Sequence, residues 1–194
     1  MPFRPRWKVI SVTHVEQRLA ERGLVLPPEP KVPPGVAIPF QWVRVRDRRG
    51  FLSGHGALSP DGAPLGPFGS VPSEVSLEHA QASACSAMLS LLASLKRAIG
   101  DLDNVAAWLA VNGFVNADPG YTQTTLVMNP VSELLLELYG PDCGGHARIA
   151  PGVAALPFNL PVIIAAEVEI SVQQAGPAQY ATVNTNMRGL SVVT

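Results

Sequence analysis

Residues 76–99, SLEHAQASACSAMLSLLASLKRAI, constrain the fold more than any other segment. Alanine, leucine and methionine recur through them at helical spacing. Ser76 is placed to cap the start, and Glu74 and Glu78 lie near the positive end of the helix dipole. Gly100 stops the helix, and Asp101-Leu102-Asp103-Asn104 reads as a turn. Val105–Val115 then forms a continuous apolar run, the pattern of a strand buried on both faces.

The flanking segments complete an order. Residues 14–22 read as a short polar helix closed by Gly23. Residues 26–39 hold six prolines, which makes them an extended connector. Phe40–Arg46 alternates apolar and basic residues like a strand. Asp47–Gly50 is a turn, and Phe51–Ser53 begins the returning strand. Residues 54–75 are rich in glycine, proline and serine and read as loop. Asn129-Pro130 opens a second helix over residues 130–139, with proline at its first position, and Gly140 ends it. Residues 146–156 and 161–172 are the last two strands, joined at Pro157. The order is ββαβαββ, an α/β (α+β) arrangement in which a mixed sheet carries two helices on one face. The strands are apolar on both faces, so the uncovered face argues for oligomerisation.

Composition excludes several classes. Apolar content is 47% and net charge is −1, which fits a core-forming chain and not an electrostatic binder of nucleic acid. Arg44, Arg46, Arg48 and Arg49 read as a strand's solvent face running into a turn. There is no apolar run long enough for a membrane span and no apolar stretch behind the N-terminal arginines. Two cysteines are too few for a disulfide framework. Cys85 reads as a small core residue and Cys143 as part of a flexible loop. A cytoplasmic, reducing setting is expected.

Several pieces resemble the RidA/YjgF reactive-intermediate deaminase family. His146-Ala147-Arg148-Ile149-Ala150-Pro151-Gly152-Val153-Ala154-Ala155-Leu156-Pro157 is similar to its signature, an arginine-bearing strand followed by an apolar strand and Leu-Pro. Phe51-Leu52-Ser53-Gly54-His55-Gly56 resembles the second strand of a histidine-bearing subgroup. Gly100–Val105, Gly113–Asn116 and Val127-Met128-Asn129 match further pieces in order. The resemblance implies a chorismate-mutase-like domain over residues 14–172, between an N-terminal extension (1–13) and a C-terminal tail (173–194). It also implies a homotrimer whose sheets meet in a central barrel, with ligand clefts between subunits and no metal or organic cofactor. Typical members hydrolyse reactive imines or enamines to keto acids and ammonia.

The resemblance assigns Arg148 to the substrate carboxylate. The chemistry agrees, because a planar guanidinium forks onto a carboxylate through two charge-assisted hydrogen bonds. A structural ion pair with a neighbouring subunit's Asp or Glu is the alternative. The Ala150 N–H falls where the family offers a second donor. Asn129 reads either as a lining residue or as the helix N-cap. Ser53 and Gly54 belong beside the cleft. His55 and His146 are candidate proton carriers, although a lone histidine is more often structural. The departure is at Ile163. Hydrolytic members carry there a glutamate that positions the attacking water, and a second commonly acidic position is Ala165. Glu167 shares the strand face of Ile163 but lies roughly 13 Å along the strand, too far to substitute.

The carboxylate anchor is therefore kept and the water-activating group is lost. One expectation is an enzyme of specialised metabolism that acts on an imine, enamine or carbonyl acid by tautomerisation, cyclisation or condensation. An apolar Ile163 suits a reaction that excludes water. The alternatives are an ordinary deaminase and a non-catalytic trimer that holds a small carboxylate. Ribonuclease activity fits the neutral charge least.

Overall fold

The computed structural model describes residues 14–32, 35 and 37–171. The expected extension, 1–13, and the expected tail, 173–194, lie outside the described residues. The elements are α1 (His14–Glu21), β1 (Val43–Arg46), β2 (Arg49–His55), α2 (Leu77–Ile99), β3 (Val105–Asn116), α3 (Thr124–Gly144), β4 (Ala147–Ile149), β5 (Gly152–Val153) and β6 (Val162–Ile170).

The sheet is mixed. Its order is β1-β2-β6-β3-β4, with β5 beside the end of β3. β1, β2, β6 and β3 pair antiparallel in turn, whereas β4 and β5 run parallel to β3. Burial alternates along β6: Val162, Ile164, Ala166, Val168 and Ile170 are buried, and Ile163, Ala165, Glu167 and Glu169 are half-buried. The buried set joins α2 and α3 in one core with Trp108, Val111 and Val115 of β3. Gly113 shows how closely α3 approaches, since a Cβ there would strike the Met128 side chain.

The long helix forms as its sequence dictates. Ser76 Oγ accepts the His79 N–H at 3.2 Å, and Gly100 ends the helix with φ 82° and an N–H to the Lys96 carbonyl. The short polar helix is capped from a distance, because the Asp103 carboxylate accepts the N–H groups of His14 and Val15 at 2.6 and 3.0 Å.

Several boundaries differ from the expectations. The first hairpin turn is only Asp47-Arg48, because Arg49 and Gly50 already pair with Glu169 and Val168 of β6. Arg48 and Arg49 reach Glu169 and Glu167 on that strand, so these two basic residues are ion-paired. The second long helix starts at Thr124 and carries Pro130 in its interior. Proline leaves the Leu126 carbonyl without its helical donor. Gln81 Nε2, from α2, supplies one at 2.9 Å, and the helix continues. Gly140 breaks it where expected, with φ 78° and ψ 170°, but one more turn follows. Cys143 therefore lies in that turn and not in a flexible loop, its Sγ donating to the Val105 carbonyl at 3.4 Å. Cys85 is half-buried, outside the full core. The strand expected over 146–156 is two short pieces separated at Ala150-Pro151, since Pro151 has no N–H to donate.

Among the described residues no helix is long and apolar enough to cross a membrane, and no cluster of His, Cys, Asp and Glu is arranged to hold a metal ion.

Candidate functional site

The candidate residues fall into two groups. The first lies at the β4 edge of the sheet. Arg148 is paired in register with Val111, a buried residue on the face that carries α3. Its guanidinium reaches up to that helix. Nη1 donates to Ser132 Oγ at 3.0 Å and Nη2 donates to Asn129 Oδ1 at 2.9 Å. Asn129 and Ser132 are three residues apart and share a helix face. Asn129 is thus no N-cap; it lies inside α3 and holds the arginine.

Both acceptors are neutral. Among the described residues no carboxylate pairs with Arg148. A guanidinium has five N–H donors, of which these contacts use two, so capacity for an anion remains.

His146 extends this group. Its Nδ1 is 2.7 Å from the Gly144 carbonyl, which can only accept, so Nδ1 carries the proton. In the neutral ring Nε2 is then an acceptor, and Ser132 Oγ lies 2.9 Å from it. The hydrogen bonds run in one direction, from Arg148 to Ser132 to His146 to the Gly144 carbonyl. Ser132 was not among the residues expected from sequence. The only trace of it there is its spacing of three from Asn129.

The second group surrounds a cavity of about 290 Å³ bounded by Ile38, Phe40, Trp42, Leu160, Ile163 and the Gly54–His55 end of β2. His55 is 1% exposed and its ring lies 5.1 Å from that of Trp42. Its Nδ1 is bonded to the Ser53 carbonyl at 2.6 Å, and its Nε2 has no hydrogen-bond partner. Desolvation lowers its pKa to about 4, against the opposing pull of the Ser53 carbonyl, and the Arg97 charge adds to the lowering. His55 is therefore neutral near pH 7. The Ser53 hydroxyl is committed to the Gln41 carbonyl at 2.8 Å. Gly54 is needed here for closeness, since a Cβ would come within 2.8 Å of Ile163 Cγ2.

The sheet register separates the two groups within a subunit. Val111 and Arg148 are paired and face α3, whereas Ile163 is paired with Phe114. Positions 111 and 114 of a regular strand face opposite sides. A glutamate at 163 would not stand beside Arg148 of its own subunit, contrary to the simple reading of the sequence. Ala150 lies in the break between β4 and β5, half-buried against the core.

Comparison with known proteins now settles the family. The Agrobacterium tumefaciens protein Atu1372, itself of unknown function, is 32% identical over 82% of this chain and 93% of its own, with a TM-score of 0.71. A provisionally named endoribonuclease from Shewanella oneidensis shares the fold, with a TM-score of 0.72 and 24% identity over 80% of this chain and 99% of its own. The chain belongs to the RidA/YjgF family. The assignment agrees with the signature strands around Arg148. Protein TCP17 of Trypanosoma cruzi is 37% identical over 103 residues, 53% of this chain, and the match spans 64% of that protein's length. No protein-family model matches the chain.

Proposed function

We propose that this RidA/YjgF member binds a small carboxylate-bearing imine, enamine or carbonyl acid at sites shared between the subunits of a homotrimer. It acts there as a divergent enzyme of specialised metabolism, by tautomerisation, cyclisation or condensation, and not as an ordinary deaminase. The observation that carries this is the setting of Arg148: a guanidinium held by two neutral side chains at a sheet edge, with no carboxylate paired with it among the described residues. The Ala150 N–H is the second donor to the ligand, and Ser53 and Gly54 border the cleft.

Two features support the shared site. Arg148 and Ile163 face opposite sides of one sheet, so a cleft that holds both needs two copies of the chain. The face away from α3 is also partly apolar, with Phe51 and Ile149 exposed on it at 38% and 54%. The apolar Ile163 and the largely apolar lining of the cavity behind it argue against activating a water there. The endoribonuclease name of the Shewanella neighbour does not transfer: a net charge of −1 is a poor basis for holding RNA.

Pyruvate serves as the probe. Arg148→Ala is expected to weaken it by about 1.5–3 kcal/mol, the range for charged hydrogen bonds, measured by calorimetry. Sedimentation is expected to show a trimer for both proteins. A monomer at micromolar concentration, or an Arg148→Ala variant that dissociates without a separate ligand effect, would overturn the reading.

A further inference from the structure

We infer that Ser132 and His146 form a proton relay that removes and returns a proton on the carbon next to the carbonyl or imine carbon of the bound acid. The inference rests on the carboxylate anchor proposed above and adds the groups that do chemistry on what Arg148 holds.

The directions of the hydrogen bonds decide the roles. Gly144 fixes the proton of His146 on Nδ1, which leaves Nε2 as a base. The Ser132 hydroxyl, 2.9 Å away, points its own proton at Nε2. A hydroxyl oxygen has two acceptor positions. Arg148 occupies one from 3.0 Å, and the other is the position a substrate proton would take. This is the base–hydroxyl arrangement by which a side-chain oxygen is made basic, with a third group orienting the imidazole. The adjacent guanidinium favours negative charge on Oγ as its proton departs.

The placement fits the anchor. Ser132 Oγ touches the same guanidinium that would hold the carboxylate, so the next carbons of a short acid fall beside it. Asn129 turns Oδ1 to Arg148, which leaves its Nδ2 donors for the oxygen or nitrogen on which charge develops.

The step balances without a co-reactant. A C–H bond next to the carbonyl carbon breaks. Its proton goes to Ser132 Oγ as the serine proton moves to His146 Nε2. The C–H electron pair becomes a carbon–carbon double bond, and the carbonyl pair moves to oxygen. With a protonated imine as substrate that pair moves to nitrogen and gives the neutral enamine. The imidazolium returns a proton along the same path. Neither water nor an oxidant is consumed, so the absence of a glutamate at position 163 is no obstacle.

The test is methyl hydrogen–deuterium exchange of pyruvate in D2O, followed by proton NMR, with pyruvate binding measured on the same proteins by calorimetry. The full chain is expected to exchange faster than buffer. Ser132→Ala and His146→Gln are expected to lower the rate at saturating pyruvate by about 100-fold or more, within the usual contribution of a general base. His146→Gln keeps a hydrogen-bonding side chain, so it separates loss of the base from loss of structure. Ser132→Thr, which retains the hydroxyl, is expected to restore exchange. A wild type that binds pyruvate but exchanges it no faster than buffer would overturn the relay and leave the anchor standing. So would variants that bind and exchange like wild type. No pyruvate binding to wild type, or binding indifferent to Arg148→Ala, would overturn the anchor and the relay together.

Discussion

The two histidines in the candidate groups carry the same side chain in opposite settings. His55 is 1% exposed, bonded through Nδ1 to a carbonyl two residues back, and has nothing on Nε2. His146 makes the same kind of Nδ1 bond to a carbonyl two residues back, but its Nε2 meets a serine that in turn meets an arginine. Local backbone fixes the tautomer in both. What differs is the partner of the second nitrogen and its access to water. One ring is locked in its neutral form and helps wall an apolar cavity; the other belongs to a polar chain at a sheet edge. A histidine in a signature thus becomes a candidate for chemistry through its second nitrogen, not through its presence.

The largest effect that sharpens this contrast is at Ile163, on the dry side. Wild type is expected to release little ammonia from enzymatically generated 2-aminoacrylate. Ile163→Glu is expected to raise that rate by about 10²–10⁴-fold, the usual contribution of a water-positioning base. Adding Arg148→Ala is expected to abolish the gain. Since position 163 faces away from Arg148 of the same subunit, the double variant should regain activity when mixed trimers form with wild type. Each parent alone is expected to show little activity in this assay. Mixed trimers that stay inactive would break the shared-site reading, and a wild type already active would show that another group positions the water.

Much of this was legible in the sequence, for identifiable reasons. Ser76 and Gly100 punctuate α2 because a hydroxyl cap and a left-handed glycine are strong local signals. The run through Val115 reads as a strand because it is apolar at nearly every position. Within the subunit, however, β3 is buried mainly on the face toward the helices and only half-buried or exposed on the other, not covered on both faces as expected. The start of α3 did not read, because Pro130 is compatible with a helix interior only when another element satisfies the Leu126 carbonyl, and Gln81 is 45 residues away from it. The role of Ser132 was hidden for a similar reason. Serine on a helix surface is ordinary, and its partners arrive 14 and 16 residues further on, from the residue before β4 and from β4 itself. The opposed faces of Arg148 and Ile163 follow from the register of β4 and β6 on β3, which no single segment encodes.

The next effect is on stability and belongs to His55. Its folded pKa of about 4 lies below the ordinary 6.5, chiefly because burial disfavours the charged ring. As pH falls below 6.5 the unfolded chain takes up a proton that the folded chain refuses, so stability drops until about pH 4 and this contribution then levels off. The shift corresponds to about 3 kcal/mol as an order of magnitude. Urea unfolding of wild type and His55→Phe between pH 7 and 4 checks it. The variant is expected to show a shallower decline over that window. Parallel declines would mean that His55 titrates freely, and the contrast with His146 would lose its dry member.

The smallest effect tests the scaffold of the polar side. Asn129 and Ser132 flank Pro130, so their placement depends on a helix that continues through a proline. Gln81 Nε2 donates to the Leu126 carbonyl at 2.9 Å, in place of the backbone N–H that Pro130 lacks. Gln81→Ala should leave that carbonyl to water, at a cost of about 0.5–1.5 kcal/mol, the net worth of one such hydrogen bond. Pro130→Ala restores the backbone N–H and makes Gln81 redundant. In that background Gln81→Ala is expected to cost nearly nothing, so a double-mutant cycle on urea unfolding isolates the bond as the interaction between the two sites. The same cycle, read through pyruvate binding, reports whether the proline matters to Arg148: a helix that shifts at Pro130 would move both acceptors of the guanidinium at once. Equal costs of Gln81→Ala in the two backgrounds would show that the carbonyl is satisfied some other way, and that the proline is tolerated in α3 without help from α2.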